Sequence, residues 1–304
     1  DIDRGVDLPD GGIRLARFIT KEQGTYRKNL HPTLFPSYGI AKFHLASAPE
    51  TEIECVQTRK ERYQFRDSRN PVTEFASLAE DCLRRDLTIN ALYQDLSTGR
   101  IVDISGHGLH DLEHRIIRTP REPFVTFDED ALRELRCIRF AARFGWEIEP
   151  DTLRGITDNA ERIRIITQDR ITDEFSRMLL GPRPDYAFTL LKDTGLLAHI
   201  LPEWLPTLTA PYGTCTCWDY LLRTVNDSEP QLASRLTAFT QQLEVEERTS
   251  FLRRMNYPVE VQKSVQRLSR HIQAFNKCHH GKPLTDAALR RLQYEWNRAA
   301  SSVL

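Results

Sequence analysis

The hydrophobic pattern of the chain changes near Trp146, and this change limits the folds that the chain can adopt. Before it, residues 38–46 and 52–57 have the composition of β-strands joined by a short turn. After it, strand alternation is absent, and successive segments read as helices as far as residue 299. The sequence therefore predicts an α+β amino-terminal part followed by an all-α part. No run of 18 apolar residues is present, so we predict no membrane partner.

Acidic residues occupy the first predicted strand and one of its neighbours. Asp1 and Asp3 are two positions apart, and side chains of a strand return to the same face every two residues. Such a pair can bind one or two Mg²⁺ ions for phosphoryl or nucleotidyl transfer. Glu54 alternates with Ile53 and Cys55, so it can face a neighbouring strand as a third carboxylate. The alternative is two surface aspartates and a solvated strand glutamate.

Polar and charged side chains are concentrated in residues 84–90, after a helix that the capping-box spacing of Ser77 and Glu80 predicts. Guanidinium groups there can bind a triphosphate, and the carboxylate or the amide can hold a sugar hydroxyl. The candidate residues are Arg84, Arg85, Asp86 and Asn90. Alternatively, Asp86 only caps the short apolar segment that follows it.

A second informative segment is a helix that we predict from about Asp128 onward. Asp130 and Arg133 are three positions apart, so they share a face of this helix. An acceptor beside a guanidinium can read the Watson–Crick edge of a base, which would select C and A without a template. An ordinary surface ion pair is the alternative. Arg136 and Arg139 follow along adjacent rows of the same helix.

Two further segments of the amino-terminal part have recognisable patterns. Residues 59–76 are highly charged and lack a clear apolar period, which predicts a mobile loop whose arginines and aromatic residues contact nucleotide or RNA. Residues 94–103 predict a hairpin with its turn at residues 97–99.

The overall composition places few limits on the partners of the chain. The 304 residues include 42 basic and 43 acidic side chains, so bulk charge neither requires nor excludes a nucleic-acid partner. The six cysteines have no framework spacing, which predicts reduced thiols and a cytoplasmic protein.

Taken together, the motifs resemble those of the class II tRNA nucleotidyltransferase and poly(A) polymerase family over about residues 1–205. The resemblance is carried, in order, by D-x-D at residue 1, E-x4-R at residue 54, R-R-D-x-T-I-N-A at residue 84, G-x-x-D-L-x-x-R-x-I-R-T at residue 108 and E-D-x-L-R-x-x-R-x-x-R-F at residue 129. The resemblance implies a polymerase-β-like head with a mixed sheet in residues 1–105. It also implies a helical neck with a base-recognition helix in residues 106–180, and a helical, tRNA-binding body and tail in residues 181–304.

The resemblance also implies an activity and roles for the candidate residues. The expected reaction is template-independent addition of CCA to the 3′ end of tRNA from CTP and ATP, with Mg²⁺ as cofactor. Asp1 and Asp3 would bind the metal, with Glu54 as their acidic partner. Triphosphate and ribose contacts would come from Arg84, Arg85, Asp86 and Asn90. Asp130 and Arg133 would read the base, while Arg136 and Arg139 would contact phosphates or pack the helix.

Other activities share nearly all of these motifs. A poly(A) polymerase, or an enzyme that adds only CC or only A, differs from a CCA-adding enzyme in its product. The family's Gly-Gly and Arg-Asp segment, expected just before the D-x-D strand, is absent from this sequence. A non-catalytic relative that binds tRNA is therefore the alternative from another class of protein. The sequence does not indicate an oligomeric state.

Overall fold

The computed structural model describes residues 2–24, 32–45, 48–62 and 72–279. It divides the chain into two compact units, residues 1–129 and 130–304. The first is a mixed α/β unit and the second is mostly helical, so the predicted α+β fold class is confirmed. The finer division at residues 105 and 180 stays a prediction.

A four-stranded mixed sheet forms the first part of unit 1. Its elements are β1 (Ile2–Val6), α1 (Gly11–Gly24), β2 (Thr33–Phe35), β3 (Ile40–Leu45) and β4 (Ala48–Gln57). The strand order is β1-β4-β3-β2, with β1 parallel to β4 and the other neighbours antiparallel. The strands predicted at residues 38–46 and 52–57 are therefore confirmed as β3 and β4.

Helix α1 covers one face of this sheet. The core between them consists of Ile13, Ala16, Ala41, Phe43, Ile53 and Cys55. The helix lies close to the strands because Gly12 has no side chain: a Cβ there would lie 2.5 Å from the carbonyl oxygens of Cys55 and Gly39. Since strand side chains alternate, packing α1 on this face leaves the opposite face of the sheet to the polar residues.

The remainder of unit 1 consists of short elements. They are β5 (Arg59–Arg62), β6 (Val72–Phe75), α2 (Leu78–Leu83), β7 (Leu92–Gln94), β8 (Ile101–Asp103), α3 (Gly108–His114), β9 (Ile116–Ile117) and α4 (Pro123–Glu129). Strands β7 and β8 form the predicted hairpin. The prediction of one loop over residues 59–76 is wrong at its ends, because β5 and β6 pair as an antiparallel ribbon. Residues 63–71 lie outside the described residues.

Unit 2 is a set of packed helices. They are α5 (Leu132–Phe144), α6 (Pro150–Asn159), α7 (Gln168–Leu180), α8 (Pro184–Asp193), α9 (Leu196–Ile200), α10 (Cys217–Asp227), α11 (Leu232–Phe239), α12 (Val245–Arg254) and α13 (Val259–His279). The short strands are β10 (Glu147–Ile148), β11 (Pro211–Tyr212) and β12 (Cys215–Thr216). The helix predicted at residues 285–299 lies outside the described residues.

The core of unit 2 is built on aromatic rings from five different segments. Phe175 packs edge-to-face on Phe188, Phe239 and Phe251, with ring centroids 5.4–6.2 Å apart. Trp204 stacks on Phe239 and donates its indole N–H to the carbonyl oxygen of that residue. These rings fix the packing of α7, α8, α11 and α12 around one centre. In the described part of the chain, no helix has the length and hydrophobicity needed to cross a membrane.

Candidate active site

Two carboxylate side chains lie side by side on the polar face of the sheet in unit 1. Asp3 on β1 is the direct partner of Glu54 on the parallel strand β4. Ile53 and Cys55, on either side of Glu54, are buried under α1, so Glu54 lies on the opposite face. The prediction that Glu54 faces a neighbouring acidic strand is confirmed by this register. Asp1 lies outside the described residues.

A lysine that the sequence analysis missed lies on the same face. Lys42 is the partner of Glu54 across the antiparallel pair β3–β4. Its ammonium nitrogen lies 2.9 Å from a carboxylate oxygen of Glu52 and 2.9 Å from one of Glu54. The hydrogen bonds to Glu54 and to Glu52 hold the pKa of Lys42 well above its ordinary value. Because side chains alternate along a strand, the sequence of β3 could have indicated that Lys42 lies on this face.

The donor set of this face suits a hard cation. Carboxylate oxygens are the ligands that Mg²⁺ prefers, and Asp3 and Glu54 present one carboxylate each from adjacent strands. Within the described ranges, no group of three or more His, Cys, Asp or Glu side chains is close enough to hold a metal ion. Asp3 and Glu54 thus supply two carboxylates of the kind that such an ion binds, from adjacent strands of one face.

A buried carboxylate holds the two arginines of the R-R-D motif. Asp81 on α2 is 2% exposed. Its Oδ1 accepts from the Nη2 of Arg84 at 2.6 Å, and its Oδ2 accepts from the Nη2 of Arg85 at 3.2 Å. Burial alone would raise the pKa of Asp81, but the charge of Arg84, a bond from Tyr93 and the charge of Arg85 hold it below its ordinary value. The spacings of three and four residues from Asp81 are a helical signal that could have identified it.

Tyr93 joins this arginine cluster to the strand that carries Asp3. Its hydroxyl donates to Asp81 and accepts from Arg85, and the guanidinium of Arg85 lies over its ring. A Cβ on Gly5 would lie 2.7 Å from the ring of Tyr93. Gly5 is two residues after Asp3 on β1, so both positions share one face of the sheet. The carboxylates and the R-R-D cluster therefore lie on the same side of the sheet.

Asp86 and Asn90 lie in the turn that follows the arginines. The Oδ1 of Asp86 accepts from the backbone N–H of Leu87 at 2.9 Å and from the side-chain amide of Asn90 at 3.1 Å. Asp86 is mostly buried. The carbonyl oxygen of Asn90 accepts from Arg85 at 2.9 Å. The four predicted nucleotide-binding residues of unit 1 thus form one connected network, with each side chain oriented by another.

Residues of the G-x-x-D-L-x-x-R-x-I-R-T motif form hydrogen bonds that hold this turn in place. Asp111, fully buried on α3, accepts from the hydroxyl of Thr88 at 2.8 Å and from the Nε of Arg118 at 3.0 Å. The carbonyl oxygen of Arg118 accepts from the backbone N–H of Thr88 at 2.9 Å. An ion pair whose carboxylate is fully buried helps to hold the backbone of residues 86–90 in one conformation.

The predicted base-reading residues lie in unit 2, at the start of α5. The carboxylate of Asp130 accepts from Arg170 on α7 at 2.8 Å and from the backbone N–H of Leu132 at 3.1 Å. Arg133 is mostly buried. The side chain of Asp130 is 15% exposed, so it remains within reach of solvent beside its partner Arg170.

The two later arginines of α5 lie against α7. The Nε of Arg139 donates to the carboxylate of Glu174 at 2.5 Å, and both side chains are buried. Arg136 lies 3.9 Å from the other oxygen of Glu174. Both guanidinium groups also lie over the ring of Phe140. These contacts favour helix packing, the second of the two roles expected for Arg136 and Arg139.

Two family models match consecutive regions of the chain. The model described as "Poly A polymerase head domain" matches residues 24–118. The model described as "Probable RNA and SrmB- binding site of polymerase A" matches residues 145–208. The first region contains most of the sheet and the whole R-R-D network, and the second lies within the helical unit.

The matches to relatives of known function cover less of the chain than the matches to solved structures do. A CCA-adding enzyme of Lactobacillus helveticus is 42% identical over 134 residues, which cover 43% of this chain and 33% of the relative. The structure of the Bacillus stearothermophilus CCA-adding enzyme in complex with CTP is 24% identical, with a TM-score of 0.68, and the match covers 100% of this chain and 68% of that one.

A third comparison extends the likeness in fold. A tRNA nucleotidyltransferase complexed with a primer tRNA and an incoming ATP analog has a TM-score of 0.71 at 23% identity, covering 99% of this chain and 84% of that chain. The two family models together span more than half of the chain. With the ordered motifs, the shared fold and these matches, the chain belongs to the family of tRNA nucleotidyltransferases and poly(A) polymerases.

Proposed function

We propose that this protein adds CCA to the 3′ end of tRNA from CTP and ATP, without a nucleic-acid template. The observation that carries the proposal is the polar face of unit 1, where Asp3 lies opposite Glu54 and Tyr93 joins the R-R-D network to the same strand. In a site of this kind, carboxylates that can serve nucleotidyl transfer lie beside arginine side chains and hydrogen-bond donors that can bind a nucleotide. The 42% identity to a CCA-adding enzyme supports the choice of reaction.

We propose Mg²⁺ as the cofactor, since carboxylates are the ligands that Mg²⁺ prefers and the chain belongs to a family of nucleotidyltransferases. Asp1 and Asp3 would hold it, with Glu54 as the acidic partner on the adjacent strand. When bound, such an ion would offset negative charge on the reacting phosphate and would help to deprotonate or orient the attacking 3′-hydroxyl. The role of the protein is to fix the carboxylates, and the pairing of β1 with β4 does this for Asp3 and Glu54.

The nucleotide would be held by the network on the same side of the sheet. Arg84 and Arg85 would contact the triphosphate, because their side chains are 17% and 35% exposed and Asp81 holds both of them in place. Asp86 and Asn90 would contact the ribose from the turn that Thr88 anchors. Preorganised side chains of this kind lose little conformational entropy when a ligand binds.

Base selection and RNA binding are assigned to the helical unit. Asp130 and Arg133, at the start of α5, would read the edge of the base, with Arg170 orienting Asp130. tRNA would be the RNA partner, and CTP and ATP the substrates. The thiols of Cys55 and Cys82 are free and buried, which supports the expected cytoplasmic location.

The test is incorporation of labelled CTP and ATP into tRNA that lacks its 3′-CCA, with Mg²⁺ present. We expect addition of C, C and then A, followed by termination. Long A tracts would instead identify a poly(A) polymerase, and addition of only CC or only A would identify a partial enzyme. Binding of tRNA without incorporation of either nucleotide would identify a non-catalytic relative.

A variant separates base reading from the chemical step. Arg133→Ala should lose discrimination among CTP, ATP, GTP and UTP, because one of the two groups that pair with the base edge is removed. The comparison is Arg177→Ala, which removes an exposed arginine of α7 that pairs with Asp173 on its own helix. If Arg133→Ala keeps the nucleotide preference of the unaltered protein, the base-reading role is wrong.

A further inference from the structure

Two histidines lie on one exposed face of the short helix α3 in unit 1. His110 and His114 are four positions apart, so they lie one above the other on successive turns of this helix. Their imidazole rings stack, with centroids 4.1 Å apart and planes within 16° of parallel. Both side chains are exposed, that of His110 to 54%. The proposed function uses neither of them.

Hydrogen bonding determines which nitrogen of each ring is free. The Nδ1 of His114 lies 2.9 Å from the carbonyl oxygen of His110, and because a carbonyl oxygen only accepts, this Nδ1 carries the proton. The Nδ1 of His110 lies 3.4 Å from a carboxylate oxygen of Asp111, which favours a proton there too. In the neutral rings the lone pairs are therefore on the two Nε2 atoms. Metal-binding histidines have this arrangement, in which the other ring nitrogen donates to a carbonyl or carboxylate oxygen.

The spacing of the two rings suits one ion that both of them bind. Two nitrogens that bind the same tetrahedral ion lie roughly 3.3 Å apart. Rings stacked at 4.1 Å need only small side-chain rotations to reach this separation. Histidines four positions apart on a helix bind zinc together in the H-E-x-x-H motif. Among the residues that the structure describes, no third His, Cys, Asp or Glu completes the group, so water would fill the remaining positions.

We propose that His110 and His114 form a binding site for one divalent transition-metal ion of the class of Zn²⁺ and Ni²⁺. The two Nε2 atoms are its ligands from the protein. Imidazole nitrogen suits such ions, whereas Mg²⁺ prefers oxygen, so the site differs in selectivity from the carboxylates of the sheet. The inference goes beyond the proposed function and does not depend on it.

An ion bound by both histidines links the two turns of α3. The helix has seven residues and ends at Arg115, whose φ of 61° is a conformation that residues other than glycine rarely adopt. A helix this short is marginal without tertiary contacts. It carries Asp111, which accepts from the hydroxyl of Thr88 in the R-R-D motif. Metal binding therefore stabilises the helix that holds this turn.

The test is isothermal titration calorimetry of the whole chain with Ni²⁺, with no nucleotide or tRNA present. Because the chain has nine histidines, variants are needed to assign the site. His110→Gln and His114→Gln should each weaken the tightest binding by at least about tenfold, since a single imidazole cannot chelate the ion. The double variant should weaken it little further. His107→Gln is the matched control and should leave the affinity unchanged, because His107 is an exposed histidine just before α3 that makes no capping hydrogen bond.

Two further measurements separate this site from other ways of binding the ion. The rise in melting temperature caused by Ni²⁺ should be larger in the unaltered protein and in His107→Gln than in His110→Gln or His114→Gln. A large excess of Mg²⁺ should not displace Ni²⁺. Full affinity in either single variant, displacement of Ni²⁺ by Mg²⁺, or an unaltered chain that binds Ni²⁺ no more tightly than the double variant would overturn the inference. Circular dichroism checks that each variant folds.

Discussion

Glu134 is the residue whose surroundings are most at odds with its charge. It lies in the first turn of α5, fully buried, and within the described part of the chain neither of its carboxylate oxygens has a hydrogen-bond partner. Burial raises its pKa to about 9, against the attraction of Arg162 and with a smaller contribution from Asp130. The side chain is therefore protonated at neutral pH. A buried polar group without a partner costs stability, so the position is a weak point of the helix that carries Asp130 and Arg133.

The protonation of Glu134 predicts a dependence of stability on pH. Its pKa rises from an ordinary 4.5 to about 9 on folding, so the folded state keeps a proton that the unfolded state loses between these values. The stabilising contribution is complete below pH 4.5 and is lost as the pH rises towards 9. Relative to Glu134→Gln, the unaltered protein should lose up to about 1.4 kcal/mol of unfolding free energy per pH unit across this range.

Urea unfolding of both proteins at pH 5.5 and pH 7.5 measures this effect. The advantage of Glu134→Gln over the unaltered protein should be larger at pH 7.5. Glu161→Gln is the comparison, because Glu161 is an exposed residue that pairs with Arg164, and its effect should be small at both values. An advantage of Glu134→Gln that is the same at both pH values would show that Glu134 is ionised in the folded protein.

At the scale of elements, contacts between segments distant in sequence decide the site. The sequence alone predicted β3 and β4, the helix that Ser77 begins, the hairpin β7–β8 and the side of the sheet that Glu54 faces. It missed the ribbon β5–β6, because its exposed strands are charged and lack an apolar period. It also missed Lys42 and Tyr93, since their importance depends on strand pairing and on contacts that local spacing does not encode.

The link between β1 and the R-R-D network predicts a role for the hydroxyl of Tyr93. Tyr93→Phe removes its bonds to Asp81 and Arg85 but keeps the ring against Gly5. Because the carboxylate of Asp81, which loses this bond, is buried, we expect a loss of about 1–3 kcal/mol in unfolding free energy. The KM for CTP should rise more than kcat falls, since Arg85 would be less well oriented.

Steady-state kinetics and urea unfolding together measure this prediction. Tyr38→Phe is the control: Tyr38 is an exposed tyrosine of the same unit and should alter neither stability nor KM. An effect of Tyr93→Phe on stability with no change in KM would mean that the hydroxyl supports the fold without orienting the arginines for the nucleotide.

At the scale of the whole molecule, the change of pattern near Trp146 predicted the order of the two kinds of structure. The boundary of the compact units, between Glu129 and Asp130, lies earlier than that change because α4 completes unit 1 and α5 already belongs to the helical unit. Sequence patterns report where strands end, whereas a unit boundary depends on which core each helix joins. The near-neutral net charge likewise conceals a local polar face that only the sheet register reveals.

The central claim, that the face carrying Asp3 performs nucleotidyl transfer, is tested most directly by transfer of labelled ATP to tRNA ending in CC. Asp3→Asn should reduce the rate by at least about a thousandfold with the fold retained, because it removes a carboxylate that we propose binds the metal. The control is Asp10→Asn, which changes an aspartate that follows the same strand. The backbone of Asp10 is left-handed, with φ 55°, and asparagine readily adopts this conformation. It should transfer at the unaltered rate. Activity in Asp3→Asn close to that of Asp10→Asn would contradict the account.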